Sequence, residues 1–273
     1  MVGDGFRVFH YLPAESLSQR RLSPFLMLDF NAEYDFGPSK AVKGVDVHPH
    51  KGFETVTIAY KGAVEHHDSA GNHGVIHPGD VQWMTAGAGI LHKEYHEKEF
   101  SQKGGPFEMV QLWVNLPAKD KSVEPHYQPL TAGDMSKALL PNNGGVVNVI
   151  AGDYNGVKGP AETYTPVNLF DLRLQAGGEA SMKIPASHNA ALLVISGEVE
   201  VNGRKAPAHS FVLFANEGEE IDLKAAGESV VLFLSGEPIN EPIVSYGPFV
   251  MNTEAEIHQA IRDFQSGKFG HLN

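Results

Sequence analysis

Two pairs of metal-type side chains frame one stretch of this chain and restrict how it folds. His48-Pro49-His50 opens the stretch and His92-Lys93-Glu94 closes it, and within each pair one residue separates the ligands. Residues i and i+2 of a β-strand point to the same face. Two such strands lying near each other in a barrel would bring four ligand atoms to one interior point. An isolated His-x-His is weak evidence, since an exposed strand can carry it by chance. Pro49 cannot donate to a ladder, so the plain alternative is a turn with two solvated rings. The second pair, placed after the Gly-rich run Gly87-Ala88-Gly89, is what argues for a site. Three imidazoles and a carboxylate form an N/O donor set. That set suits iron, copper, nickel, manganese or zinc better than calcium or a thiolate-type ion.

The rest of the chain reads as short strands. Phe6–Leu12 alternates weakly, Phe25–Phe30 is an apolar run bounded by Pro24 and Asn31, and Glu54–Tyr60 is β-branched. Gly62, Gly71, Gly74 and Pro78-Gly79 mark successive turns, a punctuation that predicts an all-β sandwich or barrel. Trp83 and Trp113 are expected in the core, because large aromatics dominate core burial.

Several longer runs resemble the pirin family, two-domain members of the cupin superfamily. They are His48–Val56, Pro78–Gly87, Gly89–His92, Gln111–Leu116, the early Ser23–Asp29, and the late Gly236-Glu237-Pro238 and Gly247–Thr253. The resemblance implies an all-β bicupin: two antiparallel barrels or sandwiches with a short C-terminal α-helix. It also implies a ligand set, mapping here to His48, His50, His92 and Glu94, with no ligand replaced. Glu54 shares parity with His48 and His50, so an unbroken strand points it inward too. The pirin pattern nevertheless takes its carboxylate from Glu94, which leaves Glu54 beside the site or on the surface. His66, His67, His73 and His77 lie in Gly-rich, polar surroundings and read as solvated loop or edge side chains. His10, His96, His126, His209, His258 and His271 read the same way.

A length of 273 residues suits two domains. A polar connection follows Pro129 and continues to Pro141–Gly145. It separates an N-terminal metal-binding domain, 1–130, from a second domain, 140–273, with a short helix expected over Ala132–Leu139. The second half repeats the β style at Val146–Ile150, Leu169–Leu174, Ala191–Ile195, Ser196–Gly203, Ser210–Phe214 and Val230–Leu234. Where a second ligand pair would fall, Ser187-His188-Asn189 offers one imidazole, so the second barrel is expected to hold no metal. The one clear helix lies at the end. Thr253-x-x-Glu256 is a capping-box signature, Ile257, Ala260, Ile261 and Phe264 form an apolar stripe, and Gly267 is the stop.

A net charge of −12 argues against direct nucleic-acid binding, and zero cysteines exclude disulfides, thiolate metal sites and a Cys nucleophile. No leader or bilayer-length apolar run is visible, so the expected location is cytoplasmic with no membrane contact. Four protein ligands on a six-coordinate ion leave two positions open, and an open position distinguishes a catalytic metal site. Two reading classes follow from the resemblance. One is a dioxygenase of the quercetin 2,3-dioxygenase type, acting on a flavonol and O2 and releasing CO, with Glu94 as the proton acceptor. The other is a metal-responsive coregulator working through a protein partner. One divalent ion per chain is expected, Fe(II) first, with Mn, Ni, Cu or Zn as alternatives.

Overall fold

A computed structural model describes residues 1–13 and 19–272. The chain divides into two units. Met1–Gln19, Phe25–Ala132 and Ile239–Asn273 form the first, and Arg20–Pro24 with Gly133–Pro238 form the second.

A separate hairpin pairs 244–246 with 249–251, and the strands of the two larger sheets of the first unit are β1 (Phe9–Leu12), β2 (Phe25–Phe36), β3 (Gly44–His50), β4 (Phe53–Lys61), β5 (Val64–Asp68), β6 (His73–Ile76), β7 (Val81–Thr85), β8 (Ile90–His96), β9 (Gly105–Asn115) and β10 (His126–Leu130). They form a six-stranded sheet, β1-β2-β9-β4-β7-β10, and a four-stranded sheet, β3-β8-β5-β6. All the pairings are antiparallel. Among the described residues the ladders do not close into a barrel, so the unit is an antiparallel β-sandwich. Ala59, Phe107 and Met109 of the larger sheet pack with Val64 and Ile76 of the smaller one, which holds the two faces together. Strand β4 explains the interior best. Its β-branched run favours a pleated strand, and Phe53–Tyr60 is buried throughout because β9 and β7 flank it and both its faces are covered.

Between β3 and β4 the chain turns at Lys51-Gly52, with Gly52 at φ +86°, a conformation open to glycine. This break resets the alternation. Phe53, Thr55 and Thr57 now share the face of His50, and Glu54 points the other way. The expectation of a single unbroken parity from His48 to Glu54 is therefore corrected.

The tail, which the sequence places with the second domain, makes contacts within the first unit. Phe249, Met251, Ile257, Ala260 and Phe269 form one buried cluster, with Leu91 of β8 against it. Lys51 donates its N–H to the Pro248 carbonyl at 3.2 Å and accepts from the Val250 N–H at 3.1 Å. Ordered contacts of this kind place Ile239–Asn273 in the first unit. Lys121 pins the junction. Its buried ammonium donates to the Gly52 carbonyl (2.8 Å), the Val250 carbonyl (2.9 Å) and Asn115 Oδ1 (2.7 Å).

Two α-helices occur among the described residues. Helix α1 (Lys98–Lys103) was not legible beforehand, because its cap is Glu97, an unusual capping residue. Helix α2 (Glu254–Gln265) carries the expected capping box. The Glu256 N–H donates to Thr253 Oγ1 (3.2 Å) and the Thr253 N–H to Glu256 Oε2 (2.8 Å). Gly267, at φ +78°, follows the cap residue Ser266. No described helix is long and apolar enough to cross a membrane.

The second unit repeats the sandwich. One sheet orders 136–139, 145–151, 167–174, 229–236, 189–196 and 211–213, and a four-stranded sheet orders 179–183, 220–225, 198–201 and 204–207. Val147, Phe170, Leu172, Leu192, Val194, Val199, Leu223, Val231 and Phe233 lie in its core. The helix expected over Ala132–Leu139 is absent. Ser136–Leu139 instead pairs with Val146–Val149, a ladder that outweighs weak local propensity.

Candidate metal centre

Strand register brings the imidazoles together. His48 of β3 stands directly opposite His92 of β8, and His50 follows two residues on, across from Ile90. The ring centroids are 4.2 Å apart for His48–His92, 4.6 Å for His50–His92 and 4.9 Å for His48–His50. One nitrogen from each ring lies within 4.8 Å of the other two. That spacing fits a single ion held by all three.

The hydrogen bonding agrees with that fit. His48 Nδ1 donates to the Asp46 carbonyl at 2.8 Å, which leaves Nε2 as the lone-pair nitrogen. Such an outer bond is how metal-ligating imidazoles are oriented. His50 Nδ1 and His92 Nε2 are buried without a hydrogen-bond partner. Unpaired buried polar atoms are costly unless something satisfies them, and a cation coordinated by these nitrogens would do so. Burial, together with the charge of neighbouring imidazoles, holds His50 and His92 well below the ordinary histidine pKa. Both are thus neutral at working pH, the form that binds metal.

Glu94 lies in the same interior. Alternate residues Ile90, His92, Glu94 and His96 of β8 are buried, so His92 and Glu94 do share a face. The carboxylate, however, is occupied. Oε1 accepts from Thr57 Oγ1 (3.2 Å) and Oε2 from Gln111 Nε2 (3.0 Å). A bulge between Val45 and His48 leaves Glu94 opposite Val45, one step along the ladder from the imidazoles.

Five further side chains line this interior. His66, read from sequence as a solvated loop residue, is fully buried, and its Nδ1 lies 3.5 Å from His92 Nδ1. Its other nitrogen faces Asp68 Oδ2 at 3.7 Å. Burial tends to raise the Asp68 carboxyl, but the nearby His66 ring and hydrogen bonds from Asn72 outweigh it and hold the group below the ordinary carboxylate value. Tyr127 stacks on His66 with ring centroids 5.4 Å apart. Burial, with the Asp68 charge, raises its hydroxyl, which stays a donor. Trp113, expected in the core, instead meets the site, 5.2 Å from His50 and 4.2 Å from Phe53 between ring centroids. The missed signal was period two in Val64-Glu65-His66-His67-Asp68, where alternate residues are buried. His96 is likewise corrected. It is buried in an aromatic cluster with Phe6, Phe36 and Phe107, and it donates to the Gly5 carbonyl at 2.8 Å. Trp83 is fully buried.

Glu54 is 1% exposed on the opposite face of β4, hydrogen-bonded by Thr85 Oγ1 at 2.8 Å. In the second unit His188 is half-buried, and no group of three or more ligand-type side chains includes it among the described residues.

Comparison with known proteins agrees with this geometry. A Pseudomonas aeruginosa protein provisionally named quercetin 2,3-dioxygenase is 47% identical over 98% of this chain and 93% of its own length. Human Pirin is 39% identical, covering 91% of this chain and 84% of its own. A crystal structure of quercetin 2,3-dioxygenase from Acinetobacter baumannii is 47% identical with a TM-score of 0.94, covering 100% of this chain and 95% of that one. The Pirin model matches residues 5–114, which contain the three imidazoles, and the model described as "Pirin C-terminal cupin domain" matches 169–270. The three-imidazole sandwich is therefore the N-terminal half of a bicupin, and the chain belongs to the pirin family.

Proposed function

We propose that this protein is a metal-dependent dioxygenase that cleaves quercetin or a similar flavonol with O2 and releases CO. The observation that carries the reading is the convergence of His48, His50 and His92, with two buried ring nitrogens left unpaired. The likeness to quercetin 2,3-dioxygenases in sequence and fold supports it. His48, His50 and His92 hold the ion, and Glu94 is proposed as the fourth ligand and as the proton acceptor. Fe(II) is the proposed resident ion, one per chain. When bound, such an ion supplies Lewis acidity that lowers the pKa of a coordinated hydroxyl. Trp113, backed by the fully buried Phe53, offers an aromatic face beside His50 against which a flat flavonol ring can lie. Thr57 and Gln111 hold the Glu94 carboxylate inside the sandwich, where it can take the proton of a flavonol 3-hydroxyl.

General-base assistance is worth about 10²–10⁴-fold. Glu94→Gln should therefore keep part of the metal while losing turnover by a factor in that range. The deciding measurement is oxygen uptake and CO release with a flavonol panel, on protein loaded in turn with iron, manganese, nickel and copper. No oxygen consumption with any pairing would overturn the reading and move it to the partner-binding alternative.

A further inference from the structure

On the outward face of the smaller sheet, a second set of ligand side chains meets. Glu65 and His67 alternate on β5, and His73 of β6 stands directly opposite His67 in the ladder. The rings of His67 and His73 are 4.8 Å apart between centroids, and His67 Nε2 lies 3.3 Å from Glu65 Oε1. One donor atom from each of the three residues lies within 4.8 Å of the others. The sequence alone reads His67 and His73 as solvated loop or edge side chains. The ladder shows them to be a directly opposed pair, held close by sheet geometry. We propose that Glu65, His67 and His73 form a second metal site, taking a borderline divalent transition ion such as zinc.

Two imidazoles and one carboxylate are a donor set that zinc takes elsewhere, with remaining positions open to water. Hard ions that prefer all-oxygen sites fit it poorly. The set is also partly ordered in advance. Tyr95, opposite Glu65 on β8, stacks on His67 with centroids 5.7 Å apart. His67 and Glu65 are partly covered, with side-chain exposures of 32% and 20%, which limits the ordering cost on binding. Lys93 stands opposite His67 on β8 and adds a positive charge to the same face. That charge opposes a cation, so the site should be weaker than the buried one, and Lys93→Gln should tighten it. The buried imidazoles lie on the inward face of the same sheet, so the two sites are separate. This inference does not rest on the dioxygenase reading, because a chain without turnover would bind the second ion equally.

The test is zinc titration of the full chain, followed by dialysis and elemental analysis. Wild-type protein should hold two ions per chain. H67A/H73A should hold one, and H48A/H92A should also hold one. Removing even an outer partner of a metal ligand weakens binding about 10–100-fold, so losing a direct ligand should weaken the second equivalent at least that much. In wild-type protein with the buried site already filled, added zinc should shift the ring NMR signals of His67 and His73. Equal zinc uptake by wild type and H67A/H73A, or ring signals that do not move, would overturn the proposal.

Discussion

At the scale of single residues, burial rather than identity decides what each titratable group does. Glu54 and Glu94 are both buried carboxylates, one on each sheet of the first unit, with 1% and 4% exposure. Glu94 faces the imidazoles and is held by two donors. Glu54 faces away, and burial pushes it from the ordinary 4.5 up to about 7, with the Asp120 charge also raising it and Thr85 opposing. Folded protein therefore keeps the Glu54 proton to near neutrality, while unfolded chain releases it near the ordinary 4.5. The resulting stabilisation is full below the unfolded value and is lost as pH rises through the folded one. The shift corresponds to at most about 3 kcal/mol. Glu54→Gln keeps an acceptor for Thr85 and removes the charge. Relative to wild type it should gain stability, by up to about 3 kcal/mol, between pH of about 4.5 and about 8. Urea unfolding at several pH values reads this directly, and a difference that stays flat with pH would contradict it. The shared faces of His48 with His50 and of His92 with Glu94 were legible as i, i+2 spacing. His66 was equally regular in sequence, but a Gly-rich neighbourhood masked its period of two.

At the scale of elements, the site depends on junctions that join distant parts of the first unit. The β3–β4 break is held by Lys121 from one side and by the 248–250 segment from the other. Burial lowers Lys121 to about 8, with Glu241 and Glu256 opposing that shift. Lys121→Met leaves two carbonyls and Asn115 Oδ1 without their donor. An orphaned buried group costs about 1–3 kcal/mol, so the variant should lose roughly 3 kcal/mol or more of stability. Denaturant midpoints test this, and a loss under about 1 kcal/mol would show that water or another donor replaces the ammonium. Strand β8 and helix α2 were readable because alternation and the Thr253–Glu256 box are local patterns. The strand at Ser136–Leu139 was not readable, since its ladder partner lies beyond a turn and its own composition is weak.

At the scale of the whole molecule, two sandwiches of one family share an architecture but not a donor set. Among the described residues no group of three or more ligand-type side chains includes His188, so His188→Ala should leave the metal content of the chain unchanged. Elemental analysis against wild type checks this, and a drop of one ion per chain would place a site there. The sequence by itself determined the all-β class, the spacing of the His48/His50 and His92/Glu94 pairs, the tail helix and the family resemblance. Each of these is written in local spacing, where side-chain period and turn residues act over a few positions. Tertiary structure alone decided which groups meet. The turn at Gly52 sends Glu54 away from the imidazoles, the β5–β8 ladder carries His66 to His92, and the tail returns to the first unit. It also sets His67 against His73 on the outer face. Such outcomes depend on register and on packing between residues far apart in the chain, and no local spacing encodes them.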